Sequence, residues 1–136
     1  MGLDVGVKTV GLALSDVTLT IATPLETIRR TRFSEDLNKL KTIVAEHDVG
    51  ALIIGLPVSM DGSEGPRCQS VRQFAANVDE ETDLAIGFWD ERLSTQAVER
   101  ILIEDVDMSR KRRGEIIDKA AAAYILQGAL DSLKSR

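Results

Sequence analysis

The sequence predicts an α/β fold: a mixed five-stranded sheet, made of a three-strand antiparallel meander plus two parallel strands, with helices on both faces. Two observations predict it. In the first third of the chain apolar residues alternate with small ones, the period-2 signal of strands. Beyond it, short apolar, β-branched runs alternate with stretches of helical periodicity.

Taken in order, a short strand around Leu3–Val5 leads through Gly6–Thr9 into a second, where Val10, Leu12 and Leu14 alternate with Gly11, Ala13 and Ser15. Asp16–Thr20 turns the chain into a third strand, Ile21–Ile28. Its Pro24 has no N–H for a ladder, which places it near an edge. Ser34 is expected to cap a helix with Glu35 and Asp36 in its first turn and Leu37, Leu40, Ile43 and Val44 as its apolar stripe. Ala51–Ile54 reads as a buried parallel strand. Pro66 suits the first turn of a second helix, with Val71, Phe74, Ala75 and Val78 inward. Leu84–Trp89 is the last strand. Ser94 opens a third helix carrying Ala97, Val98, Ile101 and Leu102, and Ser109 caps the last helix, apolar from Ile116 to Leu130. With no repeat, low-complexity tract or linker, residues 1–136 are expected to form one domain.

Three meandering strands followed by helix–strand–helix–strand–helix is the element order of the RNase H fold. Right-handed crossovers would lay the later strands parallel to the first, so ligands belong at the carboxyl ends of those strands. That rule selects Asp4–Gly6, the segment from Gly55 onward, and Asp90–Arg92.

Composition narrows the chemistry. Apolar residues at 43% and charged residues at 29% describe an ordinary globular chain. The N-terminal segment lacks the pattern of a signal peptide, and no apolar run is long enough for a membrane span. A single cysteine, Cys68, allows no internal disulfide and suits a reducing, cytoplasmic setting. With one cysteine and one histidine, His47, no soft-ligand zinc site can be assembled. The 22 carboxylates favour a hard, oxygen-liganded ion, Mg²⁺ or Mn²⁺. Cys68 is expected in the core and His47 at a helix end. A net charge of -5 is unusual for a nucleic-acid binder, but the charge is unevenly spread: Arg110, Lys111, Arg112 and Arg113 are consecutive, and Arg29, Arg30 and Arg32 cluster.

Three aspartates stand out by position. Asp4 ends the first strand and opens a D-x-G turn; the second such triplet, Asp48-Val49-Gly50, reads as an ordinary helix-to-strand turn. Asp90 follows the last strand directly, with Glu91 and Arg92 behind it. Asp118 continues a helical face made by Ala121, Ala122 and Ile125, where a carboxylate is costly unless paired, protonated or bound to metal. The run Ala120–Ala123 would let that helix approach the sheet and deliver Asp118 to the strand ends. The loop Gly55–Pro66 is glycine-rich and runs into a helix N-terminus, which favours an anion, but it lacks the G-K-[ST] of a Walker loop.

At these residues the chain resembles the YqgF-type proteins, described as Holliday-junction-resolvase-like and as pre-16S rRNA nucleases. The resemblance rests on four ordered motifs, Gly2–Asp16, Gly55–Pro66, Asp90–Thr95 and Ser109–Asp131, and covers essentially the whole chain. One departure is Ser59, where the family commonly has Asn before the methionine of the loop. The resemblance implies an RNase H-like fold and an acidic site at Asp4, Asp90 and Asp118, with Glu91 close by. It implies a metal-dependent nuclease for the 5′ end of precursor 16S rRNA, with one or two Mg²⁺ or Mn²⁺ ions on the three aspartates. Arg92, Thr95, Gly62, Ser63 and the Arg110, Lys111, Arg112, Arg113 run would contact the nucleic acid. Precursor rRNA or branched DNA and ribosomal particles are the partners to expect. Two other classes compete. A Holliday-junction resolvase, or a non-catalytic nucleic-acid or ribosome-binding module, would share the fold. A sugar-kinase or actin-like ATPase would share the Asp4–Gly11 loop but needs two such domains.

Overall fold

The computed structural model describes residues 1–93 and 110–134, the side chains of 93 and 110–113 excepted. The elements are β1 (Gly2–Val5), β2 (Thr9–Ser15), β3 (Ala22–Arg29), α1 (Phe33–Glu46), β4 (Ala51–Leu56), α2 (Pro66–Glu81), β5 (Ala85–Asp90), a single 3-10 turn (Glu91–Leu93) and α3 (Arg110–Lys134). The helix expected from Ser94, with Ala97, Val98, Ile101 and Leu102, and the cap expected at Ser109 lie outside the described residues.

The five strands form one sheet in the order β3-β2-β1-β4-β5. β1 and β3 pair antiparallel with β2; β4 pairs parallel with β1 and with β5. The expected meander and parallel pair are both present. Pro24 does lie on an edge strand, beside a register shift at Leu12/Ala13.

Alternation sorts each strand into two faces. Leu3, Val5, Val10, Leu12, Leu52, Ile54 and Leu56 join Leu37, Leu40 and Ile43 of α1 and Val71, Phe74 and Val78 of α2 in the larger core. Ala13 and Ile53 face the other way, against Ala122, Ala123, Leu126 and Leu130 of α3. Among the described residues, one helix covers the second face.

Helix ends follow local chemistry. α1 starts two residues earlier than a Ser34 cap would require: Arg32 is the N-cap residue and makes no side-chain cap bond. Asp36, in the helix's first turns, instead accepts the Thr31 N–H just before it at 3.0 Å and the Thr31 hydroxyl at 3.3 Å, buried to 4% exposure. Pro66 sits in the first turn of α2 as expected, and His47 is the C-cap residue of α1. Cys68 is buried in the larger core.

The α3 face of the sheet is paved with residues that have little or no side chain. The β1–β2 register puts Asp4 beside Gly11, and the parallel β1–β4 register, continued one residue, puts it beside Gly55. A Cβ on Gly11 would lie 2.0 Å from the Asp118 carbonyl oxygen, and one on Gly2 would lie 2.7 Å from that of Ala122. The helix backbone thus rests directly on the sheet. Farther along, a Cβ on Gly128 would strike the Trp89 ring at 2.8 Å. Gly11→Ala should therefore lift the start of α3 rather than fill a gap. The expected loss is about 3 kcal/mol, the upper end of overpacking costs, read from denaturant unfolding. A Gly11→Ala protein as stable as the wild type would mean that α3 does not sit this close.

Candidate functional site

Asp4 stands at the carboxyl end of the central strand, flanked on its own face by Gly11 and Gly55. Those two glycines leave room on either side, and a different carboxylate enters each gap. Asp118 comes from α3 above Gly11, its Oδ2 accepting the Thr9 hydroxyl at 2.6 Å. Glu91 comes from the 3-10 turn after β5 and lies over Gly55, where a Cβ would meet its Oε1 at 2.7 Å. Asp4 and Glu91 share a side-chain hydrogen bond, and Asp118 acts on Asp4 through its charge.

The electrostatics follow from this crowding. Burial first, then the hydrogen bond and charge of Glu91, then the charge of Asp118 push the Asp4 carboxyl up to about 8, against the opposing charge of Arg67. Arg67 is tied to the same strand, donating to the Val5 carbonyl at 3.0 Å. Asp118 is also raised, by burial and by Glu115, with the Thr9 hydroxyl opposing.

Asp90 goes elsewhere. It pairs with Leu56, a residue of the larger core, so it continues the face of Ile86 and Phe88, away from Asp4. Its carboxylate is gripped by Arg92, with Nη2 to Oδ2 at 2.6 Å and Nε to Oδ2 at 2.9 Å, which holds it below the usual range. Arg92 Nη1 reaches the Ser59 and Met60 carbonyls, each at 3.4 Å, linking the end of β5 to the loop after β4. In that loop the Gly62 N–H closes onto the Ser59 carbonyl at 2.8 Å with a φ of +87°, a conformation that favours glycine. Ser63 turns its N–H and hydroxyl to Asp61.

The comparisons with known proteins now bear on the site. A family model described as "RuvX: Holliday junction resolvase" matches residues 1–132. The chain belongs to this family. Among curated relatives, a "Putative pre-16S rRNA nuclease" of Paramagnetospirillum magneticum is 63% identical over 132 residues, spanning 97% of this chain and 84% of the relative. A protein of the same name from Ruegeria sp. is 60% identical over 134 residues, spanning 98% and 85%. Among solved structures, Thermus thermophilus RuvC in complex with a Holliday junction substrate aligns with a TM-score of 0.62 at 14% identity, covering 98% of this chain and 94% of the other. The Fowlpox virus resolvase with Holliday junction DNA gives 0.56 at 9% identity, covering 97% and 96%. At such identities the likeness shows the fold alone, which is RNase H-like.

In this RuvX-family chain the residues selected from sequence separate. Asp4, Glu91 and Asp118 gather on the α3 face; Asp90 and Arg92 bind each other and the Ser59–Gly62 turn. Thr95 and the side chains of Arg110, Lys111, Arg112 and Arg113 lie outside what is described. Among the described residues no three His, Cys, Asp or Glu side chains are close enough to hold one ion between them. Sequence reasoning missed Thr9 and Arg67. It also set Asp90 ahead of Glu91, although counting the alternation through Gly87, Phe88 and Trp89 separates the two. No described helix is long and apolar enough to cross a membrane.

The raised Asp4 makes a signed prediction. Its folded-state value lies above the ordinary 3.8, so the folded chain holds more protons than the unfolded one between about 4 and 8. Stability without divalent metal should fall as pH rises through that window, and the raised Asp118 adds in the same direction. Asp4→Asn should flatten the fall and melt higher at pH 8, by about 0.5–2 kcal/mol, the range for relieving a functional compromise. Thermal melts from about pH 5.5 to about pH 8 check this. A wild-type curve that rises with pH there would contradict the crowded carboxyl.

Proposed function

We propose that this chain is a metal-dependent nuclease that hydrolyses phosphodiester bonds, acting in maturation of the 5′ end of precursor 16S rRNA. The observation that carries the reading is the contact of the Asp4 and Glu91 carboxyls, with Asp118 beside them, at the carboxyl end of the central strand. The names of relatives at 63% and 60% identity support the substrate. The chemistry of the donor set supports the cofactor. All three groups are hard oxygens, and Asp4 is buried beside two further carboxylates whose repulsion Mg²⁺ or Mn²⁺ would neutralise.

Asp4 and Glu91, whose carboxyls are hydrogen-bonded, would hold one such ion, and Asp118, not close enough in this structure to share it, would serve a second. When bound, a divalent ion there supplies Lewis-acid stabilisation of phosphoryl charge and an acidified water. The chain's own residues do the rest. Thr9 orients Asp118 through its hydroxyl, as outer partners orient metal ligands. Arg67 offsets part of the negative charge at Asp4 while anchored to β1. Asp90 acts through Arg92, which fixes the loop at Ser59 and Met60. No covalent intermediate is called for: Cys68 is buried with its thiol pushed up, and His47 ends α1 on the opposite face. Cleavage of branched DNA is the second reading, favoured by the family's description as a Holliday junction resolvase.

The test is purified protein with Mn²⁺ on precursor rRNA fragments, duplex DNA and a four-way junction in parallel. Cleavage of the rRNA is expected; cleavage of the junction alone would favour the second reading. Asp4→Asn, Glu91→Gln and Asp118→Asn should each reduce cleavage by on the order of 100-fold or more, several kcal/mol of charge stabilisation. Asp90→Asn should lose about 10-fold to 100-fold, the effect of a positioning group, and keep the rise in melting temperature with Mn²⁺. Loss of that metal response in Asp90→Asn but not in Glu91→Gln would exchange the two roles.

A further inference from the structure

A cleft of about 600 Å³ opens beside Asp118 and is absorbed by none of the chemistry above. One wall is the turn between β1 and β2 with the end of β3: Val7, Lys8, Thr9, Arg29 and Arg30. The other is the start of α3: Gly114, Glu115 and Asp118. Its inner end is Thr9 and Asp118, hydrogen-bonded to each other, so the cleft begins at the acidic group itself.

The three cations on the first wall are held differently. Arg30 is fixed: its Nη1 donates to the Gly6 carbonyl at 2.6 Å and its guanidinium stacks on Phe74 at 5.4 Å. Its N–H also binds the Lys8 carbonyl at 2.8 Å, which locks the two segments together. Lys8 is exposed on that turn. Among the described residues, Arg29 meets Glu115 across the mouth, at 3.7 Å with 61% of its side chain exposed, a pairing too weak to hold it against a better anion. In a chain of net charge -5, Lys8, Arg29 and Arg30 concentrate three cations beside the carboxylates.

We propose that this cleft is the track for the sugar–phosphate backbone next to the scissile bond, with Lys8 and Arg29 each taking a phosphate. The inference rests on the nuclease reading for the identity of the neighbouring site. The cleft commits to a single-stranded segment: its size is that of a site for a small molecule or one or two nucleotides rather than two strands. It also favours backbone over base recognition, because among the described residues no aromatic ring lines it and its exposed cations, Lys8 and Arg29, suit phosphate. Binding of phosphate would break the Arg29–Glu115 pair, leaving Glu115 as a like charge that opposes the ligand.

That opposition provides the test. Binding of a fluorescent single-stranded RNA of about 12 nucleotides is measured against salt for the wild type, Lys8→Gln/Arg29→Gln and Glu115→Gln. The double variant should bind about tenfold more weakly at low salt. Its slope of log K against log salt should shrink by about 1.4, or 0.7 for each lost phosphate contact on a single strand. Glu115→Gln should bind about twofold to fivefold more tightly. An unchanged slope in the double variant overturns the track. So does a Glu115→Gln protein weakened as much as the double variant, which would make Arg29–Glu115 a mere strut. Cleavage with Mn²⁺ is followed in the same samples. A wild type that cleaves while the double variant keeps full affinity sinks the track alone. A wild type that binds through Lys8 and Arg29 but cleaves nothing sinks the nuclease reading alone. No binding of RNA by the wild type overturns the track.

Discussion

Everything about this site depends on how closely α3 lies on the sheet. The backbone of Asp118 rests over Gly11 and that of Ala122 over Gly2, at separations that leave no space for a Cβ. A helix spaced from a sheet by ordinary side chains would hold Asp118 too far away to influence Asp4. The glycines therefore act in the site without supplying any functional group: Gly11 admits the helix, and Gly55 admits Glu91. Dispersion and burial along Ala122, Ala123, Leu126 and Leu130 keep the helix seated against the electrostatic cost at its other end.

That cost is real because the carboxylates have few counter-charges. Among the described residues, Arg67 is the cation that offsets Asp4, and it does so while tied to the Val5 carbonyl rather than paired face to face. By contrast, Asp90, more open to solvent, is fully matched by Arg92. Asp4 and Asp90 thus have opposite electrostatic fates: one is buried beside like charges that raise it, the other is spent on fixing a loop.

Much of this was legible in the residues. The alternation in Val10–Ser15, the β-branched run at Ala51–Ile54 and Pro66 at a helix start set the elements, because periodicity and local backbone chemistry act over a few residues. Asp118 stood out because a charge on an alanine-rich helical face has to be explained. Less visible was the start of α1, which begins at Phe33 rather than after a Ser34 cap, with Asp36 holding the Thr31 N–H just before the helix. Local signals place a helix end only to within a residue or two, and the settled backbone decides it.

The sequence by itself determined the described strands and the mixed sheet they form, since each follows from patterns within one segment. The tertiary structure set the β5 register that turns Glu91 rather than Asp90 toward Asp4. Strand β5 stays in register with β4 through Asp90, and a period of two sends that last residue to the far face, leaving the first residue of the turn to come back. It also decided that Thr9, Lys8 and Arg29 border Asp118, residues about 110 and 90 positions away in the chain, joined only when α3 settles on the glycine face. Segment patterns carry no information about which side chains meet across such distances; packing supplies it.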